Sequence, residues 1–357
     1  MNPITVRRLE FHITYTCNLN CHGCDVFSNY NITDHNQRWE DYRDVYAQWA
    51  GILDIEEIGV QGGEPMANPD YRNWLKGLRE LWPNAWIWLA TNGTLLHKPP
   101  HKDLYQLCQD YNIGLIVSLH NQATYEQDMA NLTSWLQGPI NEAYFLEKRS
   151  ISHNQLQNHI QAYRAIQDPS WPECSSYQDW LALPAHIRQE CADQHGFTWW
   201  DEHQTKQALL DNKNIKSMLV DQNQIKVQVK QEWNFVNAPA LVRGNSFVFS
   251  HSDPDLAHQV CNQKNCHGFF QGALHKCPAS HIFKTIAREF ETELEESERS
   301  LINSYQPAQA DWSQSDLEYF IQNLSQPIEQ CRLCPEHVEH IEVSAELGHK
   351  IHLIKKI

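Results

Sequence analysis

The chain has 357 residues, an apolar fraction of 41% and a formal net charge of -16, from 44 acidic against 28 basic side chains. Nucleic-acid partners need a basic face, and no Lys/Arg run supplies one, so RNA and DNA substrates are disfavoured. Eleven cysteines would mean disulfides in a secreted chain. Residues 1–16 carry no charged-then-apolar signal, and no apolar run approaches the roughly 18 residues of a membrane span, so a cytoplasmic protein with reduced thiols is expected.

The length suits two domains, or one barrel-sized domain with an appendage. Leu9, Phe11, Ile13 and Tyr15 alternate as in a strand, and from Tyr42 through Val45, Tyr46, Trp49, Ile52 and Leu53 the apolar spacing becomes that of a helix. Ile58–Val60 reads as the next strand. Asn68-Pro69 offers a cap and a first-turn proline for a helix carrying Tyr71, Trp74, Leu75, Leu78 and Leu81, followed by a strand over Trp86–Ala90. Pro99-Pro100 opens a helix with Leu104, Leu107, Cys108 and Tyr111, and Ile113–Leu119 is a further strand. Such alternation predicts an α/β fold with a parallel sheet wrapped by helices, open or barrel-shaped, and in both the chemistry collects at the strands' carboxyl ends.

Between residues 121 and 220 the alternation is lost, and a largely helical insertion is expected. The last strands of the sheet are expected around Ile225, Val227 and Val229 and over Ser246–Ser250. Beyond residue 250 the spacing predicts a hairpin over Phe269–Leu274 and a helix over Ser315–Leu324. Most of the thirteen tryptophans are spaced like core residues.

Cys17, Cys21 and Cys24, in CNLNCHGC, follow the first strand with spacing C-x3-C-x2-C. A cubane 4Fe-4S cluster normally takes four thiolates, so three leave one iron open to an outside ligand. A zinc knuckle is the alternative, but nothing nearby completes a tetrahedron, although His22 and His35 are present. Gln61-Gly62-Gly63-Glu64-Pro65 follows the second strand and Thr91-Asn92-Gly93 the third. Glycine pairs of this kind also make plain strand-to-helix turns. Five cysteines, Cys261, Cys266, Cys277, Cys331 and Cys334, crowd the C-terminal third. A C-x2-C pair plus hairpin cysteines makes four ligands, a set that suits a zinc ribbon as well as a cluster. Cys108, Cys174 and Cys191 stand far from these and read as plain thiols.

The cysteine loop with the two downstream motifs resembles the radical S-adenosylmethionine (SAM) superfamily. The family usually has an aromatic residue just before the third cysteine; here Gly23 stands there. The resemblance implies a partial (β/α)6 TIM-like barrel over residues 1–250. It also implies a SAM-binding 4Fe-4S cluster on Cys17, Cys21 and Cys24 and SAM on its open iron. Gly62 and Gly63 would let the backbone approach SAM's methionine closely, Glu64 would accept from its amino group, and Pro65 would fix the turn. Thr91 and Asn92 belong to the same site, and Ser118 and His120 would meet ribose or substrate.

Residues 251–357 look like a twitch domain, a shortened SPASM domain of small α+β build carrying one auxiliary 4Fe-4S cluster. Cys277, Cys331 and Cys334 are the firm ligands. Cys261 fits the family's C-x9-15-G-x4-C spacing through Gly272 to Cys277 better than Cys266 does. Four thiolates favour an electron-transfer role for this cluster, and a missing one favours substrate binding.

The implied activity is reductive cleavage of SAM to a 5′-deoxyadenosyl radical that takes a hydrogen atom from a substrate, for oxidation or rearrangement. A small polar molecule is the expected substrate, because twitch domains accompany such substrates and the core strand starts within the first ten residues, leaving no room for a peptide-recognition domain. A small flavodoxin- or ferredoxin-type protein is the expected electron donor. The alternatives are a radical SAM peptide maturase, an activating enzyme that makes a glycyl radical on another protein, and a non-catalytic zinc-binding interaction protein. No residue is singled out as a general base.

Overall fold

The computed structural model describes residues 3–30, 32, 36–137, 141–145, 216–220, 223–232, 234–236, 241–243, 246–261, 263–289, 294–337, 340–342 and 345–346. The first half alternates as the periodicity predicts. Strand β1 (Ile4–Thr14) is followed by a two-residue strand β2 (Asn20–Cys21), helix α1 (Trp39–Ile52) and strand β3 (Leu53–Gly62). Helix α2 (Tyr71–Leu81), strand β4 (Trp86–Thr91), helix α3 (Leu104–Tyr111) and strand β5 (Ile113–Leu119) come next. Helix α2 buries Tyr71, Trp74, Leu75 and Leu78 at three- and four-residue spacing, the apolar stripe that ties a helix to a sheet. Helix α3 stops at Asn112, whose left-handed backbone (φ 50°) is tolerated by asparagine better than by most residues.

After helix α4 (Tyr125–Trp135) come strands β6 (Asn141–Phe145), β7 (Lys216–Val220) and β8 (Lys226–Gln231). Short strands β9 (Asn234–Val236), β10 (Leu241–Arg243) and β11 (Ser246–Val248) lead to helix α5 (Pro254–Val260). Strands β12 (Gly268–Phe270) and β13 (Ala273–His275) form a hairpin ahead of helices α6 (Pro278–Glu289), α7 (Glu296–Ser304) and α8 (Gln314–Gln322). Strands β14 (His340–Glu342) and β15 (Ala345–Glu346) pair with β9 and β2.

One nine-stranded sheet, in the order β13-β12-β1-β3-β4-β5-β8-β7-β6, organises the molecule. The pairs from β12 to β8 are parallel, and antiparallel pairs close both ends. This is the parallel-dominated α/β fold expected from the sequence, left open rather than closed. Two expectations need correcting. Strand β11, within the Ser246–Ser250 run, is not a strand of the main sheet; it pairs antiparallel with β10 in a separate hairpin. The sixth parallel strand is β12, whose Gly268 and Phe269 lie opposite Glu10 and Phe11 of β1. Short apolar runs look alike in sequence, and only the partner strand decides their place. Both described ends of the 121–220 stretch also hold regular structure, helix α4 and strands β6 and β7. Cys174 and Cys191 lie outside the described residues.

Two cores hold these layers. The larger one packs Phe11, Tyr46, Trp49, Trp74 and Phe269 between sheet and helices, and each fully buried ring of this kind contributes roughly 1.5–3 kcal/mol relative to exposure. The smaller one joins Tyr15, Phe27, Tyr30 and Ile32 of the cysteine-loop region to Phe249, Phe283, Ile286 and Leu333 of the C-terminal region. The hairpin between β12 and β13 turns on Gln271 and Gly272, both at positive φ (50° and 79°), the backbone a two-residue hairpin loop requires. Helix α1 grips that turn: Trp49 Nε1 donates to the Gly272 carbonyl at 2.8 Å, and the Gly272 N–H donates to Tyr46 Oη at 3.1 Å. Among the described residues no helix is long and apolar enough to cross a membrane.

Candidate functional site

The loops after β1, β3, β4 and β5 open at the same end of the sheet. They surround a cavity of about 310 Å³ lined by Cys17, Cys21, Cys24, Gly62, Gly63, Thr91, Asn92, Ser118 and His120. Of the residues expected here from the sequence, only Glu64 and Pro65 are missing from that lining.

The cysteine loop is held by short-range bonds. The Cys24 N–H donates to the Cys21 carbonyl (3.4 Å), and the Phe27 N–H to the Cys24 carbonyl (3.1 Å). Gly23 has φ 71°, so the aromatic residue the family resemblance calls for would be strained at this position. Asn92 Nδ2 reaches Cys17 Sγ at 3.9 Å and donates to Asn18 Oδ1 at 3.0 Å, while Asn18 Nδ2 donates to Thr94 Oγ1 at 2.7 Å. The Thr91–Gly93 motif therefore braces the first cysteine. The Leu19 N–H points at Cys17 Sγ (3.4 Å), and the backbone N–H groups of Val26 and Ser28 bond the Cys24 thiol. Burial pushes the Cys21 thiol up to about 12 and that of Cys24 higher still, and the neighbouring acidic groups of Cys17 and Asp25 add to both. Isolated thiols would stay protonated here. Amide donors aimed at sulfur suit thiolates whose charge is taken up by iron, so the donor set fits a cluster.

Gly62 and Gly63 are glycines first for a packing reason. The Gly63 N–H donates to the Thr14 carbonyl and the Glu64 N–H to the Thr16 carbonyl, each at 2.8 Å. A Cβ on Gly62 would lie 2.2 Å from the Thr14 oxygen and one on Gly63 2.4 Å from the Thr16 oxygen. The strand that feeds the cysteine loop thus runs against this turn. Glu64 is fully buried behind the cavity. Its Oε2 accepts from the Asn92 N–H (2.7 Å) and Thr91 Oγ1 (3.0 Å), and its Oε1 from the Met66 N–H (3.1 Å). Burial pushes its carboxyl up to about 7 despite these bonds. In this structure Glu64 spends its acceptors on the protein, and Pro65 opens the short 3-10 turn beside it.

A second cavity, of about 40 Å³, is lined by Cys261, Cys277, Cys331 and Cys334 together. Cys261 ends helix α5, which Asp253 caps by accepting from the Asp255 and Leu256 N–H groups (3.0 and 3.1 Å). Cys277 follows β13, Cys331 lies within a 3-10 turn over Glu329–Leu333, and Cys334 caps the end of that turn. Backbone N–H groups of Gln263, Ser280 and Ile328 bond the thiols of Cys261, Cys277 and Cys331. Four sulfurs, three of them with amide donors, again fit a cluster. Cys266 stands elsewhere: it lines the larger cavity, near Arg8, Glu10 and Lys230, and burial pushes its thiol up to about 12. Among the described residues no three Cys, His, Asp or Glu side chains gather as a single metal ion requires. His35 lies outside the described residues, and His22 is exposed.

The two cavities share a wall. Gln263 lines both, and its Nε2 donates to Asp25 Oδ2 at 2.6 Å. Cys277 lines the smaller cavity and Pro278, the next residue, the larger. The large cavity also carries charged side chains, Arg8, Glu10, Asp25, Lys230 and Glu232, among apolar and neutral ones. Arg8 donates to Glu10 (2.7 Å), approaches Glu57 (3.5 Å) and lies 4.7 Å from the centre of the Trp88 ring. Lys230 is 3.8 Å from Glu232, whose carbonyl oxygen lies 3.2 Å from His120 Nδ1. Burial, with Glu232 nearby, raises the Asp25 carboxyl to about 6. Sequence reading missed Arg8, Glu10, Asp25, Lys230 and Glu232. The signal was there in part, since Arg8 and Glu10 alternate with Leu9 and Phe11, as Lys230 does with Val229.

Residues 11–135 match the sequence model of the radical SAM superfamily. No curated protein matches the chain. Solved structures with a partial likeness include a polyhistidine-tagged anSMEcpe with bound AdoMet, at 16% identity over 37% of this chain and 41% of that one, TM-score 0.28. BtrN in complex with AdoMet and 2-DOIA aligns at 18% identity over 36% of this chain and 53% of its own, TM-score 0.26. Streptococcus suis SuiB bound to S-adenosylmethionine aligns at 19% identity over 36% and 37%, TM-score 0.25. The chain thus spans from about a third to about half of these proteins, and what they bind or modify stays with them.

Proposed function

Because residues 11–135 belong to the radical SAM superfamily, we propose that this chain is a radical SAM enzyme oxidising a small polar molecule, with an auxiliary cluster beside the substrate. The observation that carries the reading is the single cavity that collects three thiols, the Gly62-Gly63 turn and Thr91-Asn92 at the carboxyl ends of parallel strands. Cys17, Cys21 and Cys24 hold the SAM-binding 4Fe-4S cluster, and Cys261, Cys277, Cys331 and Cys334 hold the second. When bound, the first cluster with SAM supplies a 5′-deoxyadenosyl radical that removes a hydrogen atom from the substrate, and the second supplies a sink for the electron left behind.

The protein's own residues do the rest. Asn92 fixes Cys17, and Glu64 ties the β3 and β4 loops into one rigid edge, so that SAM meets a preset surface. Ser118 and His120, at the end of β5, face the same cavity and are placed to meet ribose or substrate. The charged far end, with Arg8, Glu10, Lys230 and Glu232, suits a substrate rich in hydroxyl or ionic groups, and it supports a small molecule over an apolar peptide side chain. The wall formed by Gln263, which lines both cavities, and by the adjacent pair Cys277 and Pro278, which line one each, supports electron transfer between substrate and second nest.

Anaerobic incubation with SAM, a small electron-transfer protein as donor and a metabolite extract tests the reading. The expected result is 5′-deoxyadenosine formation with loss of two hydrogens from one small metabolite. Modification of a peptide with no metabolite changed would move the assignment to a peptide maturase.

A further inference from the structure

Lys276 sits between the hairpin and the second nest, and it is buried to 3% exposure. It lines the cavity that Cys261, Cys277, Cys331 and Cys334 share. Its backbone is clamped on both sides: its N–H donates to Tyr305 Oη at 2.9 Å, and His267 Nδ1 lies 2.6 Å from its carbonyl oxygen. Its Nζ donates to the Leu324 carbonyl. Among the described residues it makes no ion pair with a carboxylate; burial lowers its pKa, and the groups that share its cavity and could carry a compensating negative charge are the sulfurs of Cys261, Cys277, Cys331 and Cys334. A buried ammonium without a counter-charge is costly, so such a group persists where a neighbouring anion compensates it.

The geometry points to Lys276 as the fixed cation that sets the reduction potential of the auxiliary cluster, and so its fitness to accept an electron from the substrate. This rests on the auxiliary cluster proposed above. Four thiolates make the cluster anionic, and accepting one electron adds one more negative charge. A cation held in a low-dielectric wall stabilises the reduced form more than the oxidised form, which raises the potential. Lys264 lines the same cavity but is only half-buried, with its Nζ donating to the Gln259 carbonyl at 3.1 Å near the surface, so water screens it more and it contributes less.

The test uses the Cys17/Cys21/Cys24→Ala protein, which keeps only the second nest, reconstituted with iron and sulfide and titrated redox-potentiometrically by EPR. K276M and K276Q are each expected to make the cluster at least tenfold harder to reduce, where each tenfold is 59 mV for one electron. K276R retains the charge and is expected to stay near the parent value, and K264M to shift it less than K276M does. Potentials unchanged in both K276M and K276Q would overturn the inference, as would equal shifts in K276R and K276M. Destabilisation of metal-free K276M with an unchanged potential in K276Q would make Lys276 a structural residue. Absence of iron from the parent protein would instead defeat the auxiliary-cluster reading itself.

Discussion

Glu64 carries the clearest consequence at the scale of one residue. Its carboxyl is raised to about 7 by burial, so the folded state holds its proton more tightly than the unfolded chain does. An acid with a raised folded pKa costs stability as pH climbs from its unfolded value, near 4.3, to its folded one, at about 1.4 kcal/mol per pH unit. E64Q removes that titration. The stability difference between wild type and E64Q in denaturant titrations is therefore expected to shift against wild type between pH 4.5 and 7, by on the order of 3 kcal/mol; a pH-independent difference would mean Glu64 does not titrate as buried. That Cys17, Cys21 and Cys24 line one cavity was legible from their spacing, because residues of one short loop stay together in space. The choice between Cys261 and Cys266 turned on which cavity each one lines, and five residues of sequence separation hide that. The histidines show the same limit. His12 and His275 are driven down to about 3 by burial in the core, whereas His120 faces the cavity, and their letters alone are identical.

Among the elements, helix α5 does the most for the second nest, because it starts at the Asp253 cap and ends at Cys261. Removing such a cap costs about 0.5–2 kcal/mol, so D253A is expected to lower the urea midpoint with an unchanged slope. It should also speed the loss of iron from the second nest to a chelator. Helix α8 has a comparable cap, Ser313, whose Oγ accepts the Asp316 N–H at 3.2 Å, and S313A is expected to cost similar stability without changing iron loss. Equal chelation rates in both variants would deny α5 its positioning role. The long amphipathic elements were readable from periodicity: α2, α3 and β5 fall where the apolar spacing puts them, since each meets the sheet through one face. The three-residue strands were not. Residues 246–248 and 268–270 have similar local character, and it is the register of β12 against β1, with Gly268 packed against the Glu10 carbonyl, that makes one of them part of the main sheet.

For the whole molecule, the hairpin of β12 and β13 means that the cysteine-rich C-terminal region is built onto the sheet beside β1, and its helices share a core with the cysteine loop. The two nests are thereby fixed across one wall, which no motif spacing could reveal. Two iron-sulfur clusters, one of them open to SAM, are what we propose for this chain. Anaerobic reconstitution, iron counting and EPR of the reduced protein with and without SAM test that proposal most directly, beside the Cys17/Cys21/Cys24→Ala variant. About eight irons are expected in wild type and about four in the variant, with a SAM-sensitive signal that the variant loses. Zinc in place of iron, or a reduced spectrum indifferent to SAM, would contradict the proposal and leave a zinc-stapled interaction protein as the reading to pursue.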